Sequence, residues 1–253
     1  MFPLSLIKDT FRPLVEFIYP PACFVCESLM EHSDSRVCPA CWSTIRPVTA
    51  DDPLYREMQR RLTEGLFAPD GVHRPVSAGY ISRLFSLYYF EKEGTLQSMI
   101  HQLKYDGMSS LGVVLGKKLG EKLSARVDSS SIDAIIPVPL HTTKFRERGY
   151  NQSEYIARGI RKVTDIPVYT SLLRRHKYTS SQTQLTAAER MANVGDAFSL
   201  NNRGPVTPEG KTFILVDDVI TTGATIEACA RVLMQGGARS VLAGSVAIAD
   251  YAA

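Results

Sequence analysis

Net charge is almost absent from this chain of 253 residues: 29 Lys and Arg stand against 26 Asp and Glu, leaving +3. So small a balance does not by itself argue for nucleic acid. Long apolar runs are missing as well. None approaches the roughly 18–20 residues of a membrane span, so no spanning helix is expected. A signal peptide is not apparent either, because Lys8, Asp9, Arg12 and Glu16 interrupt the first twenty residues. A cytoplasmic, reducing location is therefore the expectation. Internal repeats and low-complexity segments are absent, tryptophan occurs once, and cysteine occurs five times. What is present, 44% hydrophobic and 22% charged residues, is the composition of a globular protein able to bury a substantial core.

The chain is organised around residues 213–225, Phe-Ile-Leu-Val-Asp-Asp-Val-Ile-Thr-Thr-Gly-Ala-Thr. Four apolar, mostly branched residues suit a buried parallel strand. Asp217 and Asp218 follow at its end, then the loop Thr221-Thr222-Gly223-Ala224-Thr225. Ile226, Ala230 and Leu233 share one face of the helix that comes next, and Gly236-Gly237 stops it. Strand, loop and helix in this order make an anion site. Loop N–H groups and the helix N-terminus converge on one small volume, and the threonine hydroxyls add donors. Carboxylates repel phosphate, so Asp217 and Asp218 need a different role, such as accepting hydrogen bonds from sugar hydroxyls or holding Mg²⁺ through water. A phosphate cradle beside diol acceptors describes a ribose 5-phosphate site. A buried strand with Asp at its end and Thr as a helix cap is the plain alternative. Thirteen positions fitting one pattern argue against it.

Ahead of this stretch, Ile7, Phe11, Leu14 and Ile18 predict a short amphipathic helix over residues 4–19. Cys23-x₂-Cys26 and Cys38-x₂-Cys41 follow, eleven residues apart. Two such knuckles complete a tetrahedral Cys₄ site for Zn²⁺. Disulfides are the competing use of the same residues, but nothing indicates export. His32 lies between the pairs as a surface residue, and Cys229 reads as a small buried apolar residue. Residues 47–76 predict a connector with one short helix, the run 56–61 being a solvated face. A β-type segment is expected over 78–90. Helices are expected over 95–105 and 111–124. Lys104 closes the first of these; it could reach a ligand, but from spacing alone a surface lysine at a helix C-terminus is the favoured reading.

Residues 133–139 predict a second buried strand, followed by a long basic loop that carries Lys144, Arg146 and Arg148. Loops at the carboxyl ends of parallel strands are where α/β folds place ligands, so these cations suit a second anion beside the first. A helix over 153–163 and a strand over 167–173 come next. A long polar excursion over 174–198 then carries Arg174, Arg175, Gln182, Thr183 and Arg190, and loops of this length are commonly functional. A final apolar strand is expected over 240–249.

The stretch 213–225 resembles the phosphoribosyl pyrophosphate (PRPP) signature of type I phosphoribosyltransferases. The wider set of blocks resembles the competence protein F (ComF, ComFC-like) family. Those blocks are the four cysteines, residues 100–107, 136–141 and 148–152, Gln182-Thr183 with Glu189-Arg190 and Asn193-Val194, and the signature itself. The family's further cysteine pair has no counterpart here, so one zinc is the expectation. The resemblance implies an α/β type I phosphoribosyltransferase fold: a mostly parallel central sheet flanked by helices, with a hood over the site. A small N-terminal Cys₄ zinc ribbon would precede it. The implied divisions are residues 1–46 for helix and ribbon, 47–76 for the connector and 77–253 for the transferase-like domain. It implies that Asp217 and Asp218 contact the ribose hydroxyls and that Thr221, Thr222, Gly223, Ala224 and Thr225 hold the 5-phosphate. Lys144 and Arg148 would assist in binding PRPP. Arg146 and Arg148 would meet the pyrophosphate in any transfer reaction, with Asp217 and Asp218 as the acidic catalytic pair. Arg174, Arg175, Gln182 and Arg190 would form a closing loop. Implied cofactors are structural Zn²⁺ and Mg²⁺ with PRPP. Implied partners are single-stranded DNA and a helicase-like uptake protein; the basic loops would hold the DNA backbone, and Tyr150 and Tyr178 could stack on bases, although an ordinary surface or core tyrosine is the plainer reading of each. The implied role is DNA uptake, and phosphoribosyl transfer to an unidentified acceptor is the alternative.

Overall fold

Phe213, Ile214, Leu215 and Val216 are all fully buried because their strand lies inside a parallel sheet whose two faces are both covered. The computed structural model describes residues 21–30, 36–64, 79–105, 107–177, 197–201 and 206–249. The expected helix over 4–19, His32, Tyr178, Gln182, Thr183 and Arg190 lie outside the described residues. Among those described, helix α1 spans Pro39–Ser43 and α2 Pro53–Glu64. Strand β1 (Arg83–Phe90), helices α3 (Thr95–Tyr105) and α4 (Ser109–Ser124), and strand β2 (Ala134–Pro137) follow. Helices α5 (Thr142–Arg148) and α6 (Gln152–Thr164) precede the short strands β3 (Leu173–Arg175) and β4 (Phe198–Leu200). Strand β5 (Thr212–Ile220), helix α7 (Ala224–Gln235) and strand β6 (Ser240–Ala249) complete the order.

Four strands form one parallel sheet in the order β1-β6-β5-β2. Beyond β2, Val168 forms a parallel bridge with Ile135, and Tyr169 N–H donates to Ile135 O at 3.0 Å. At the other edge, Tyr89 N–H donates to Arg46 O at 3.0 Å, and Val48 N–H donates to Leu87 O at 2.8 Å. Alternate residues of β5 face opposite layers. Ile214 and Val216 meet α3, α4 and α6, whereas Phe213 and Leu215 meet α2, α7 and the β3–β4 hairpin. Helices α4 and α6 touch backbone to backbone: a Cβ on Gly116 would lie 2.0 Å from Ile156 O, and one on Gly159 would lie 2.3 Å from Val113 O.

Three expectations need correction. The basic loop after β2 contains helix α5. His141 caps it, its Nδ1 accepting from Thr143 N–H at 3.2 Å, and Gly149 ends it at φ +77°. The expected strand over 167–173 divides: Val168 bridges the sheet edge, the chain turns, and Leu173 opens the antiparallel hairpin with β4. The β-type segment over 78–90 becomes a strand only from Arg83. Within 47–76, α2 buries Met58 and Leu62 in the core. Its outer face carries Arg60–Glu57 and Arg61–Glu57 ion pairs at 2.9 and 2.6 Å, in keeping with a solvated run.

The ribbon shares the main core. Cys23, Val37, Cys38, Cys41 and Ile45 belong to the same buried cluster as Leu96, Met99, Ile100 and Leu103 of α3. Lys118 of α4 lies over the Trp42 ring at 4.7 Å, and the Thr44 and Thr95 hydroxyls meet at 2.9 Å.

Candidate functional site

The chain leaves β2 toward the Val168 edge, then returns past β2 to form β5 and β6 on its other side. This reversal opens a crevice between the carboxyl ends of β2 and β5, the place where doubly wound sheets receive ligands. Pairing of β5 with β2 ends at Val216↔Pro137, while its pairing with β6 continues through Ile220↔Ile248. Asp217 and Asp218 therefore lie inside β5 and beside the gap, not past the strand's end as the pattern suggests. Three residues after β5 ends, Gly223 adopts φ +86° and α7 begins at Ala224. Gly223 is the N-cap and offers no side chain there, while the Ala224 N–H just inside the helix donates to the buried Thr222 Oγ1 at 3.3 Å. Thr221 is exposed and Thr225 sits in the first turn of α7, at the positive end of the helix dipole.

Across the crevice, Asn151 fixes α6. Its Nδ2 donates to Val138 O at 3.0 Å and its Oδ1 accepts from Ser153 N–H at 3.1 Å. That places buried Ser153 so that its hydroxyl donates to Asp217 Oδ1 at 3.1 Å. Asp218 is 4% exposed, and the Lys104 ammonium lies 2.6 Å from its Oδ2. The two acids part electrostatically. Burial and the adjacent Asp218 carboxylate push Asp217 upward. Burial acts on Asp218 in the same sense, but Lys104 outweighs it and holds that carboxyl low. Lys104 is thus an ion-pair partner inside the site, a correction to the surface lysine expected from spacing. Helix periodicity reports which face a residue occupies, and a four-carbon stem reaches beyond that face.

The basic residues divide into two groups. Lys144 feels Arg148, Arg175 and Lys104, and burial together with these neighbours lowers its proton affinity. Arg175 is partly buried, lies over the Phe198 ring at 5.3 Å and senses the charge of Asp217. Arg148 donates to Gln152 Oε1 at 2.9 Å and covers the Tyr105 ring at 5.1 Å. The fold therefore brings Lys104, Lys144, Arg148 and Arg175 to the acid pair. Arg146 and Arg174 are exposed and line an adjacent cleft of about 650 Å³ with His141, Phe145, Glu154 and His176, and Arg175 borders both it and the acid pair. Tyr150 donates its hydroxyl to Leu103 O and meets Tyr155 edge-on at 5.4 Å, so its ring packs within the fold and does not serve as an open stacking surface. Sequence reasoning missed Ser153 altogether; its place in the first turn after the Asn151 cap was the available signal.

The four cysteines of the ribbon converge. Cys23 Sγ lies 3.8 Å from Cys41 Sγ, Cys26 Sγ lies 3.6 Å from Cys38 Sγ, and all four sulfurs lie within 4.8 Å of one another. A tetrahedral zinc with Zn–S bonds of about 2.3 Å separates its sulfurs by roughly 3.8 Å. The thiols are unbridged. Cys38 N–H points at Cys23 Sγ at 3.3 Å, and Cys41 N–H at Cys38 Sγ at 3.4 Å, the bonds a thiolate cluster uses. The residues present fit one structural zinc.

Residues 14–64 match the Double zinc ribbon domain family, and residues 148–251 match the Phosphoribosyl transferase domain family. Competence protein F of Haemophilus influenzae is 37% identical over 112 residues, 43% of this chain and 47% of that protein. DNA utilization protein YhgH of Escherichia coli is 32% identical over 149 residues, 58% of this chain and 64% of its own length. Competence protein ComFC of Bacillus subtilis is 25% identical over 233 residues, covering 90% of this chain and 84% of that protein. The matched region thus spans about half of the first relative and just under two thirds of the second.

Proposed function

Taking the chain as a homologue of competence proteins F and ComFC and of YhgH, with a zinc ribbon joined to a phosphoribosyl transferase domain, we propose that it binds PRPP or a related 5-phosphoribosyl ligand and serves the handling of DNA during uptake. One observation carries this reading: Asp217 and Asp218 flank the crevice at the strand reversal, a few residues before the Gly223 turn and the N-terminus of α7. The 5-phosphate would lie at the N–H groups of residues 221–225. The ribose hydroxyls would donate to the acid pair. Mg²⁺ would enter with the pyrophosphate and neutralise part of its charge. Lys144, Arg148 and Arg175 stand where the remaining charge would lie.

The relatives' names carry the DNA part, together with the exposed Arg146 and Arg174 of the cleft. A single-stranded backbone suits such a surface because phosphate contacts need cations and no base-specific shape. A second reading, catalysed transfer of the phosphoribosyl group, draws support from the cations gathered beside the acid pair. In that reaction they would stabilise the departing pyrophosphate while the ribose passes through an oxocarbenium-like state.

Calorimetry with Mg²⁺ and PRPP tests the ligand. Asp218→Asn retains the shape and removes a charged acceptor, which by typical values weakens binding by about 1.5–3 kcal/mol. Equal affinities for the two proteins would refute the ribose role. Turnover of PRPP with a panel of acceptors separates binding from transfer.

A further inference from the structure

Lys104 belongs to α3, outside the residues that match the phosphoribosyl transferase domain, yet it reaches the centre of that domain's crevice. Its ammonium lies 2.6 Å from Asp218 Oδ2, a buried oxygen for which Lys104 is the charged donor. Two of the neighbouring cations make other contacts. Arg148 is held by Gln152 and the Tyr105 ring, and Arg175 lies over Phe198. Two adjacent carboxylates beside such a gap would ordinarily attract a hard divalent cation. Here one of them already has a cation in contact, delivered by the protein's own chain.

We propose that Lys104 is the resident cation of the acid pair: it occupies the position at Asp218 that a divalent metal ion would otherwise take. Ribose 5-phosphate is then received at the acid pair without a metal ion there, and Mg²⁺ is needed only by a ligand that brings a pyrophosphate. Both consequences rest on the phosphoribosyl reading above; the occupancy of Asp218 by Lys104 does not. A primary ammonium supplies three donors in place of a metal's coordination sites, so Lys104 and Asp218 together offer a donor and an acceptor to a vicinal diol.

Binding of Mn²⁺ to the zinc-loaded full chain, read as free Mn²⁺ by electron paramagnetic resonance, tests the inference. The thiolate site prefers zinc and leaves Mn²⁺ to oxygen ligands. Lys104→Met and Lys104→Gln should each gain one Mn²⁺ site, about tenfold or more tighter than any in the wild type, the scale of removing one charged partner. Lys104→Arg, which keeps the charge, should not gain it. Adding Asp218→Asn to Lys104→Met should abolish the gain, which a merely structural role for Lys104 would not predict. Wild-type protein that binds Mn²⁺ at Asp218 as tightly as Lys104→Met does, or neutral variants that gain no site, would overturn the inference. Calorimetry with ribose 5-phosphate forms the second arm, and the wild type should show the same affinity with and without Mg²⁺. The expected Mn²⁺ pattern with no ribose 5-phosphate binding would uphold Lys104 and refute the phosphoribosyl reading. Ribose 5-phosphate binding that requires Mg²⁺, with Mn²⁺ already bound at Asp218 in the wild type, would do the reverse.

Discussion

Replacing Gly116 with alanine adds one methyl group where α4 and α6 already touch. The new Cβ would stand 2.0 Å from Ile156 O and 2.8 Å from Gly159 Cα. Both are backbone atoms, so no rotamer change relieves the clash, and the helices must separate by roughly an ångström to restore ordinary contact. Overpacking a tight core of this kind costs about 3 kcal/mol. Alanine returns about 1 kcal/mol through its higher helix propensity. The net loss is about 2 kcal/mol, which lowers Tm by about 4–8 °C in a chain of this size. The effect should reach the site, because α6 begins with Asn151 and Ser153, and Ser153 donates to Asp217 at 3.1 Å. Differential scanning calorimetry with and without PRPP measures both consequences. Gly112→Ala is the milder comparison: its Cβ would meet Tyr155 Cβ at 2.9 Å and Leu103 Cδ1 at 3.0 Å, and the leucine methyl can turn aside. A Gly116→Ala protein as stable as the wild type, or one less affected than Gly112→Ala, would refute this account of the packing.

Metal analysis should find one zinc per chain, and Cys23→Ser should lose the metal and lower stability; a metal-free, disulfide-bonded, fully folded protein would contradict it. Stability should decline as pH rises from about 4 to about 8, because burial and Asp218 push Asp217 from 3.8 up to about 8, so the folded state holds a proton that the unfolded chain has released. Urea midpoints of Asp217→Asn should accordingly vary less across that range than those of the wild type. If the cleft holds single-stranded DNA, log affinity should fall with log salt at a slope of about −2 to −3.5 for three to five phosphates. Anisotropy with Arg146→Ala and Arg174→Ala combined should make the slope shallower by about 1.4 and weaken all sequences alike; a flat salt response in the wild type would remove the DNA reading.

Much of the site is legible in residues 213–225, because a buried strand, two acids and a glycine turn are consecutive and each carries a local signal. The cysteine knuckles are equally legible: spacing alone constrains where four sulfurs can meet. Arg148-Gly149-Tyr150-Asn151-Gln152 has a shape in the sequence but no visible reason. The structure supplies it as a corner: Gly149 ends α5, Asn151 starts α6, and Tyr150 fastens both to α3. Helix α5 reads as a loop in the sequence because its seven residues are mostly polar or charged and leave no apolar stripe to detect. Lys104 and Ser153 lie beyond reach for another cause. Each meets its acid across more than sixty residues of chain, and such contacts belong to topology and not to local pattern. The leucines of α4 announce a helix, while Gly112, Gly116 and Gly120 between them, which set how closely α6 approaches, carry no hydrophobic signal.

The ribbon's place in the main core bears on how the chain can be divided. Leu96, Met99 and Leu103 are at most 3% exposed, and Cys23, Val37 and Ile45 belong to the same buried cluster. A chain trimmed to begin at residue 77 would keep every residue of the crevice yet lay that flank of α3 open to water. Exposed apolar surface of this kind invites self-association. The helix most affected would be the one that carries Lys104. The cut would therefore disturb the helix that carries the cation to Asp218, and the half that holds the crevice is better regarded as dependent on its cysteine ribbon than as separable from it.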